Sequence, residues 1–106
     1  MKLFSSLLLL ATIAFCSQAK AASAKELFMS NCASCHGSDG KAQTPIGKKL
    51  GVKNLAESKF QTNDIKNRIT LGAKNAKGEL KMPPFEQKLS KPEIADLAAY
   101  VKSLQH

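Results

Sequence analysis

The residues best equipped for chemistry are Cys32, Cys35 and His36, two thiols separated by Ala33 and Ser34 with an imidazole directly after the second. Thiols at that spacing can add to the two vinyl groups along one edge of a porphyrin, and the adjacent imidazole then reaches the iron from the same side. This is the spacing of covalent c-type haem attachment. His36 is the expected proximal ligand. Other uses of these residues fit less well. A redox dithiol wants a preceding strand and a βαβ setting, and the flanking sequence offers neither. A zinc site needs four ligands, and after residue 21 the only further cysteine or histidine is the terminal His106. A disulfide between Cys32 and Cys35 would close a very short loop and contribute little.

The other face of the iron needs its own ligand. The stretch from Ala73 to Phe85 is rich in turn formers and contains Met82 followed by Pro83 and Pro84, which stiffen the backbone. Met82 is the expected sixth ligand, because a His/Met pair raises the reduction potential in electron-transfer haems. Met29, Lys81 and His106 compete for that role. Met29 belongs to the helix that carries the attachment motif and cannot easily cross to the far face.

Several elements must position these groups. Residues Ser23 to Ala33 predict a short helix, with Ala24, Phe28 and Cys32 on one face and Leu27 and Phe28 in the core. Gly37 to Lys41 reads as a turn, followed by loop through Pro45, Gly47 and Gly51. A carbonyl near Pro45 must accept the second ring N–H of His36, unless Pro45 is an ordinary turn proline. Asn54 to Ser58 predicts a helical turn, and Thr62 or Asn63 caps a helix ending near Leu71 at Gly72, with Ile65 and Ile69 inward. Ala73 to Phe85 reads as loop. Ser90-Lys91-Pro92-Glu93 is a capping box that opens a last helix to about Leu104, along which Ile94, Leu97, Ala98, Val101 and Leu104 form an apolar stripe.

Upstream, Lys2, the apolar run Leu7 to Phe15 and Ala19-Lys20-Ala21 have the layout of a cleaved secretory signal peptide at residues 1–21, leaving 22–106 as one domain. The run is shorter than the about 20 apolar residues that span a bilayer. A lipidated Cys16 is the other reading of the leader, although Phe15 is not the small residue expected before such a cysteine. A domain of this size buries only about 60% of its unfolded surface, and this one has no Trp and one Tyr. A buried porphyrin would supply the missing core.

The chain has 16 basic and 8 acidic residues, and removing Lys2 and Lys20 with the leader leaves a net charge of +6. Lysines are denser at Lys41, Lys48, Lys49 and Lys53 and at Lys74, Lys77, Lys81 and Lys88. Two readings stand: a solvated surface that keeps the protein soluble, or a ring that steers docking onto an acidic redox partner. A single Arg and no aromatic interleaving argue against nucleic acid.

With CASCHG at Cys32 to Gly37, KMPPF at Lys81 to Phe85 and LSKPEIADLAAYV at Leu89 to Val101, the chain resembles the class I cytochromes c, especially the short monohaem ones of bacteria and photosynthetic organisms. Phe28, Leu97 and Tyr100 match the family's contacts between first and last helices. The resemblance implies an all-α fold of about four helices around one covalent haem c. It also implies thioether bonds at Cys32 and Cys35, His36 and Met82 as axial ligands, and one-electron carriage. Where the family often has a glycine at the helix crossing, this chain has Ala24, which implies a slightly wider crossing.

The expected protein is therefore an electron carrier rather than an enzyme. It would be monomeric and without stable membrane insertion, working among redox proteins with acidic docking surfaces in the periplasm or another exported compartment such as the thylakoid lumen. Two alternatives differ in class. A haem gas sensor or peroxidase-like enzyme would need a labile sixth ligand, yet no distal cluster of histidine, arginine and carboxylate presents itself. A haem subunit held permanently in a larger complex would show a large apolar interface.

Overall fold

The computed structural model describes residues 11–13 and 22–106. The expected leader, Cys16 included, lies outside the described residues apart from 11–13. Helix α1 (Ala24–Asn31) begins where the Ser23 hydroxyl accepts the Glu26 N–H at 3.2 Å, and it buries Leu27 and Phe28. The backbone leaves helical geometry at Cys32 (φ −122°, ψ −34°) and resumes as the four-residue helix α2 (Ala33–His36), so the single helix expected up to Ala33 is two pieces.

The segment expected as loop through Gly51 contains a helix, α3 (Pro45–Leu50). Thr44 caps it by accepting the Gly47 N–H at 2.9 Å, Pro45 stands in its first turn, and Gly51 ends it in the left-handed region. Caps rather than burial define this helix. Its large apolar residues Ile46 and Leu50 stay exposed, so no core-facing stripe marked it.

Helix α4 (Thr62–Leu71) starts one residue before the expected cap: the Gln61 N–H donates to Asp64 Oδ2 at 3.0 Å. Ile65 and Ile69 are buried and Gly72 stops the helix, as expected. The stretch after it is not wholly loop. Strand β1 (Ala73–Lys74) pairs antiparallel with β2 (Leu80–Met82), Ala73 opposite Met82 and Lys74 opposite Leu80, with a register irregularity between the two pairs. Asn75 closes the ribbon, its side-chain oxygen accepting the Lys77 and Glu79 N–H groups. The fold is all-α with five helices and this one small ribbon among the described residues.

Helix α5 (Lys91–Ser103) carries both bonds of its capping box: Glu93 N–H to Ser90 Oγ at 3.2 Å and Ser90 N–H to Glu93 Oε1 at 2.9 Å. Its inner face of Ile94, Leu97, Ala98 and Val101 packs against α1 and α4. At the crossing with α1 the Phe28 and Tyr100 rings lie 5.3 Å apart and tilted by 53°, the offset arrangement aromatic pairs prefer. Residues 54–58 form turns rather than a helical segment. They are held from the far end of the chain: His106 N–H bonds to the Ala56 carbonyl at 3.0 Å, and Gln105 Nε2 donates to Ser58 Oγ and the Phe60 carbonyl, both at 3.0 Å. No helix of the described residues is long and apolar enough to cross a membrane.

Ser90→Ala is expected to cost about 1 kcal/mol, the usual worth of an N-cap, read as a lower midpoint in guanidinium unfolding. Donation to the Glu93 carboxylate from the Ser90 backbone N–H, and next from the Ser90 side chain, holds that carboxyl below its ordinary value of 4.5. A depressed carboxylate adds stability in full above its unfolded pKa and loses it as pH falls through the folded one. The stability gap between wild type and Glu93→Gln should therefore close below about pH 4.5; a gap that persists there would show that packing, not the carboxylate, was measured.

Candidate functional site

Between α1, α4, α5 and the loops lies a cavity of about 110 Å³ that opens to solvent. Its depth is apolar: Phe28, Ile65, Ile69 and Val101 line it, with Leu55 from the turn segment. Cys32, His36 and Met82 also line it. The structure thus brings a thiol, an imidazole and a thioether, two from the attachment motif and one from β2, onto the walls of one chamber. Cys35 does not line it and is half-buried. Nor do Met29, Lys81 or His106. The His106 backbone N–H is tied to the Ala56 carbonyl.

The electrostatics of the motif follow from burial. Burial, helped by the neighbouring Cys35, pushes the Cys32 thiol up to about 11. Redox dithiols of thioredoxin type work with lowered thiol pKa values, so this environment is the opposite of theirs. Burial lowers the His36 pKa, which keeps the imidazole neutral at neutral pH, the form that ligates metals. The His36 Nδ1 is buried and has no hydrogen-bond partner among the described residues. Pro45, near which a carbonyl partner for this ring was expected, stands in the first turn of α3. An orphaned buried polar atom costs about 1–3 kcal/mol. An imidazole, a thiol and a thioether on the walls of one largely apolar chamber fit a haem.

Two glycines fix the segments that bear these groups. Gly72, at φ +69°, sits against the methionine segment so tightly that a Cβ there would land on the Met82 carbonyl oxygen and within 2.8 Å of Pro84 N. The Phe85 N–H donates to the Ile69 carbonyl at 2.9 Å and secures the same segment to α4. On the other side, a Cβ on Gly47 would land on the Cys35 carbonyl oxygen.

The sequence left several wall residues unmarked. Leu55, Ser58 and Phe60 come from a segment without periodicity. Asp64 and Arg68 stand at the exposed side of the cavity; their spacing from Ile65 on α4 is the signal that could have placed them there.

Known proteins share this architecture. The family model of Cytochrome c matches residues 21–105. The chain is 38% identical over 107 residues to cytochrome c6 of Nostoc sp. (strain PCC 7120 / SAG 25.82 / UTEX 2576), covering 94% of this chain and 90% of that protein. It is 32% identical over 80 residues to the Cbb3-type cytochrome c oxidase subunit FixP of Sinorhizobium medicae (strain WSM419), covering 76% of this chain. The chain spans about a quarter of the length of the FixP subunits it matches. Among solved structures, the KustC0563 c-type cytochrome superposes with a TM-score of 0.67 at 27% identity, over 80% of this chain and all of that one.

Gly72→Ala is expected to destabilise the protein by about 1–3 kcal/mol, the usual cost of a strained backbone, and by more if the Met82 segment has to move. Chemical unfolding of the two proteins checks this, and an unchanged midpoint would mean the Gly72 contact is slack.

Proposed function

The chain belongs to the cytochrome c family, and from that premise we propose that it is a one-electron carrier holding one haem c through Cys32, Cys35, His36 and Met82. Family membership brings with it a covalently bound haem c and a part in electron transport; the assignment of these four residues to the haem is our reading. The observation that carries it is the shared chamber, with Cys32, His36 and Met82 on its walls and apolar side chains around them.

In this reading Cys32 and Cys35 would hold the haem covalently, and His36 and Met82 would ligate its iron. The bound haem supplies a ferrous/ferric couple. The protein's own work is to keep the imidazole neutral, to present the thioether from a short ribbon, and to exclude water with Phe28, Ile65, Ile69 and Val101. With His36 and Met82 both given to the iron, no ligand position would remain for a substrate, which favours carriage over catalysis.

We further read residues 1–21 as a cleaved leader and 22–106 as a monomeric domain exported to the periplasm or a comparable compartment. The Nostoc cytochrome c6 relative supports an independent carrier, since the match runs nearly the full length of both chains. The FixP relatives support a second version, in which a domain of this kind delivers electrons inside an oxidase, because there the match is confined to about a quarter of a larger subunit. The exposed lysines of both groups fit steering toward acidic redox partners. One of them, Lys88, lies 5.7 Å from the Phe85 ring centroid.

The ferric holoprotein should show the weak near-infrared band of methionine sulfur on ferric haem, and Met82→Ala should lose it. A wild type without the band that binds carbon monoxide readily when reduced would instead support a sensor or enzyme with an open sixth site. Electron exchange with an acidic partner should slow as salt rises, since the Debye length falls to about 8 Å at physiological ionic strength; a rate indifferent to salt would remove lysine steering from the reading.

A further inference from the structure

We propose, resting on the reading of the chamber as a haem site, that Gln105 is a positioning residue for the mouth of that chamber, holding Ser58 and Phe60 so that their polar atoms need no water. It lies outside the four residues read as holding the haem, and acts on how dry their surroundings are.

Leu55, Ser58 and Phe60 line the chamber, yet residues 54–60 have neither helix nor strand to hold them. Phe60 stands at the mouth, since it lines both the chamber and the adjoining surface groove and is 47% exposed. The inner end of the segment has a backbone anchor of its own, the Leu55 N–H donating to the Gly40 carbonyl at 2.7 Å. Phe60 has no backbone-to-backbone bond among the described residues. Its place is set by side chains from the far end of the chain. Gln105 Nε2 donates to Ser58 Oγ and to the Phe60 carbonyl, both at 3.0 Å. Lys102 Nζ donates to the same carbonyl at 3.0 Å. An amide nitrogen has two protons and a carbonyl oxygen two lone pairs, so both groups are fully used. Ser58 in turn gives its own proton to the Leu55 carbonyl at 2.9 Å. One half-buried amide thus orders three residues of the wall.

A carbonyl or hydroxyl left without a donor at the edge of an apolar chamber draws in water, because leaving it bare costs about 1–3 kcal/mol. Gln105 takes the place of that water. Solvent access and the polarity of the surrounding shell tune the potential of a metal site. The ferric state, with one more positive charge at the iron, gains more from water than the ferrous. A mouth that admits water therefore lowers the reduction potential.

The test measures the reduction potential of the holoprotein at about 1 M salt, where a Debye length of about 3 Å screens an added charge. Gln105→Met keeps the length of the side chain and removes both donors, whereas Gln105→Lys restores a donor. Ser90→Ala weakens α5 at its opposite end and controls for general loosening. The expected result is a lower potential in Gln105→Met, a wild-type potential in Gln105→Lys and no change in Ser90→Ala. A Gln105→Met holoprotein at the wild-type potential overturns the proposal, as does a Gln105→Lys that falls as far as Gln105→Met. An equal fall in Ser90→Ala also overturns it, since the potential would then report stability alone. If Gln105→Met yields no holoprotein, Gln105→Glu, which replaces the donor with an acceptor, is read by the same criteria. Loss of both as holoprotein overturns the proposal, because the amide would then build the domain rather than its mouth. A wild-type protein that holds no haem is a separate failure, which sinks the reading of the chamber before any variant is made.

Discussion

The close approach of backbone to backbone across Gly47 and Gly72 is the constraint on which the rest of this structure depends. The groups that matter sit on pieces too short to be stable alone: one helical turn carries His36, and a three-residue strand carries Met82. Such pieces cannot bury enough apolar surface to hold a position. They are held because a neighbouring chain comes within contact of their carbonyl oxygens, at Cys35 on one side and Met82 on the other. Packed interiors transmit small displacements rather than absorbing them. A methyl group at either glycine would therefore move a carbonyl whose own residue, or whose next neighbour, lines the cavity.

Around these contacts the core is small and wholly apolar. Phe28 and Leu97 are its largest fully buried side chains, and they lie where the first and last helices meet. The chain is tied at the same end by its tail, whose bonds to Ala56, Ser58 and Phe60 hold the Leu55 to Phe60 wall of the cavity. Many wall atoms thus face the chamber on one side and packed core on the other. Walls of that kind forfeit dispersion contacts unless something fills the space. A covalently held porphyrin supplies those contacts, which a domain this short needs.

Much of this was legible in the sequence, and the remainder was not for identifiable reasons. The attachment motif, the Ser90 capping box and the inward Ile65 and Ile69 follow from local spacing, and local spacing is what a sequence displays; Phe28 against Tyr100 was expected from the family resemblance. Helix α3 had its signals in Thr44, Pro45 and Gly51, but Ile46 and Leu50 stay exposed, so hydrophobic periodicity gave no prompt. The β1–β2 ribbon is too short for any period to register. Gly47 acquires its role only when the chain folds back on Cys35. Phe60 is placed by bonds to Lys102 and Gln105, far along the chain.

The distribution of polarity bears on how the site works. Its depth is apolar, whereas Asp64 and Arg68 stand on the exposed face of α4 and line both the cavity and an adjoining surface groove with Phe60 and Leu71. The lysines lie farther out, in solvent. If an iron were held between His36 and Met82, as proposed, a change of one unit in its charge would meet largely apolar inner walls and two segments pinned by backbone contact. The response is left to the rim and to water, where charges are screened. Little of the protein then has to rearrange. The same division explains why positioning carries such weight in this fold: with few dipoles nearby to set the iron's environment, the orientation of the imidazole and the reach of the thioether become the main variables the chain controls.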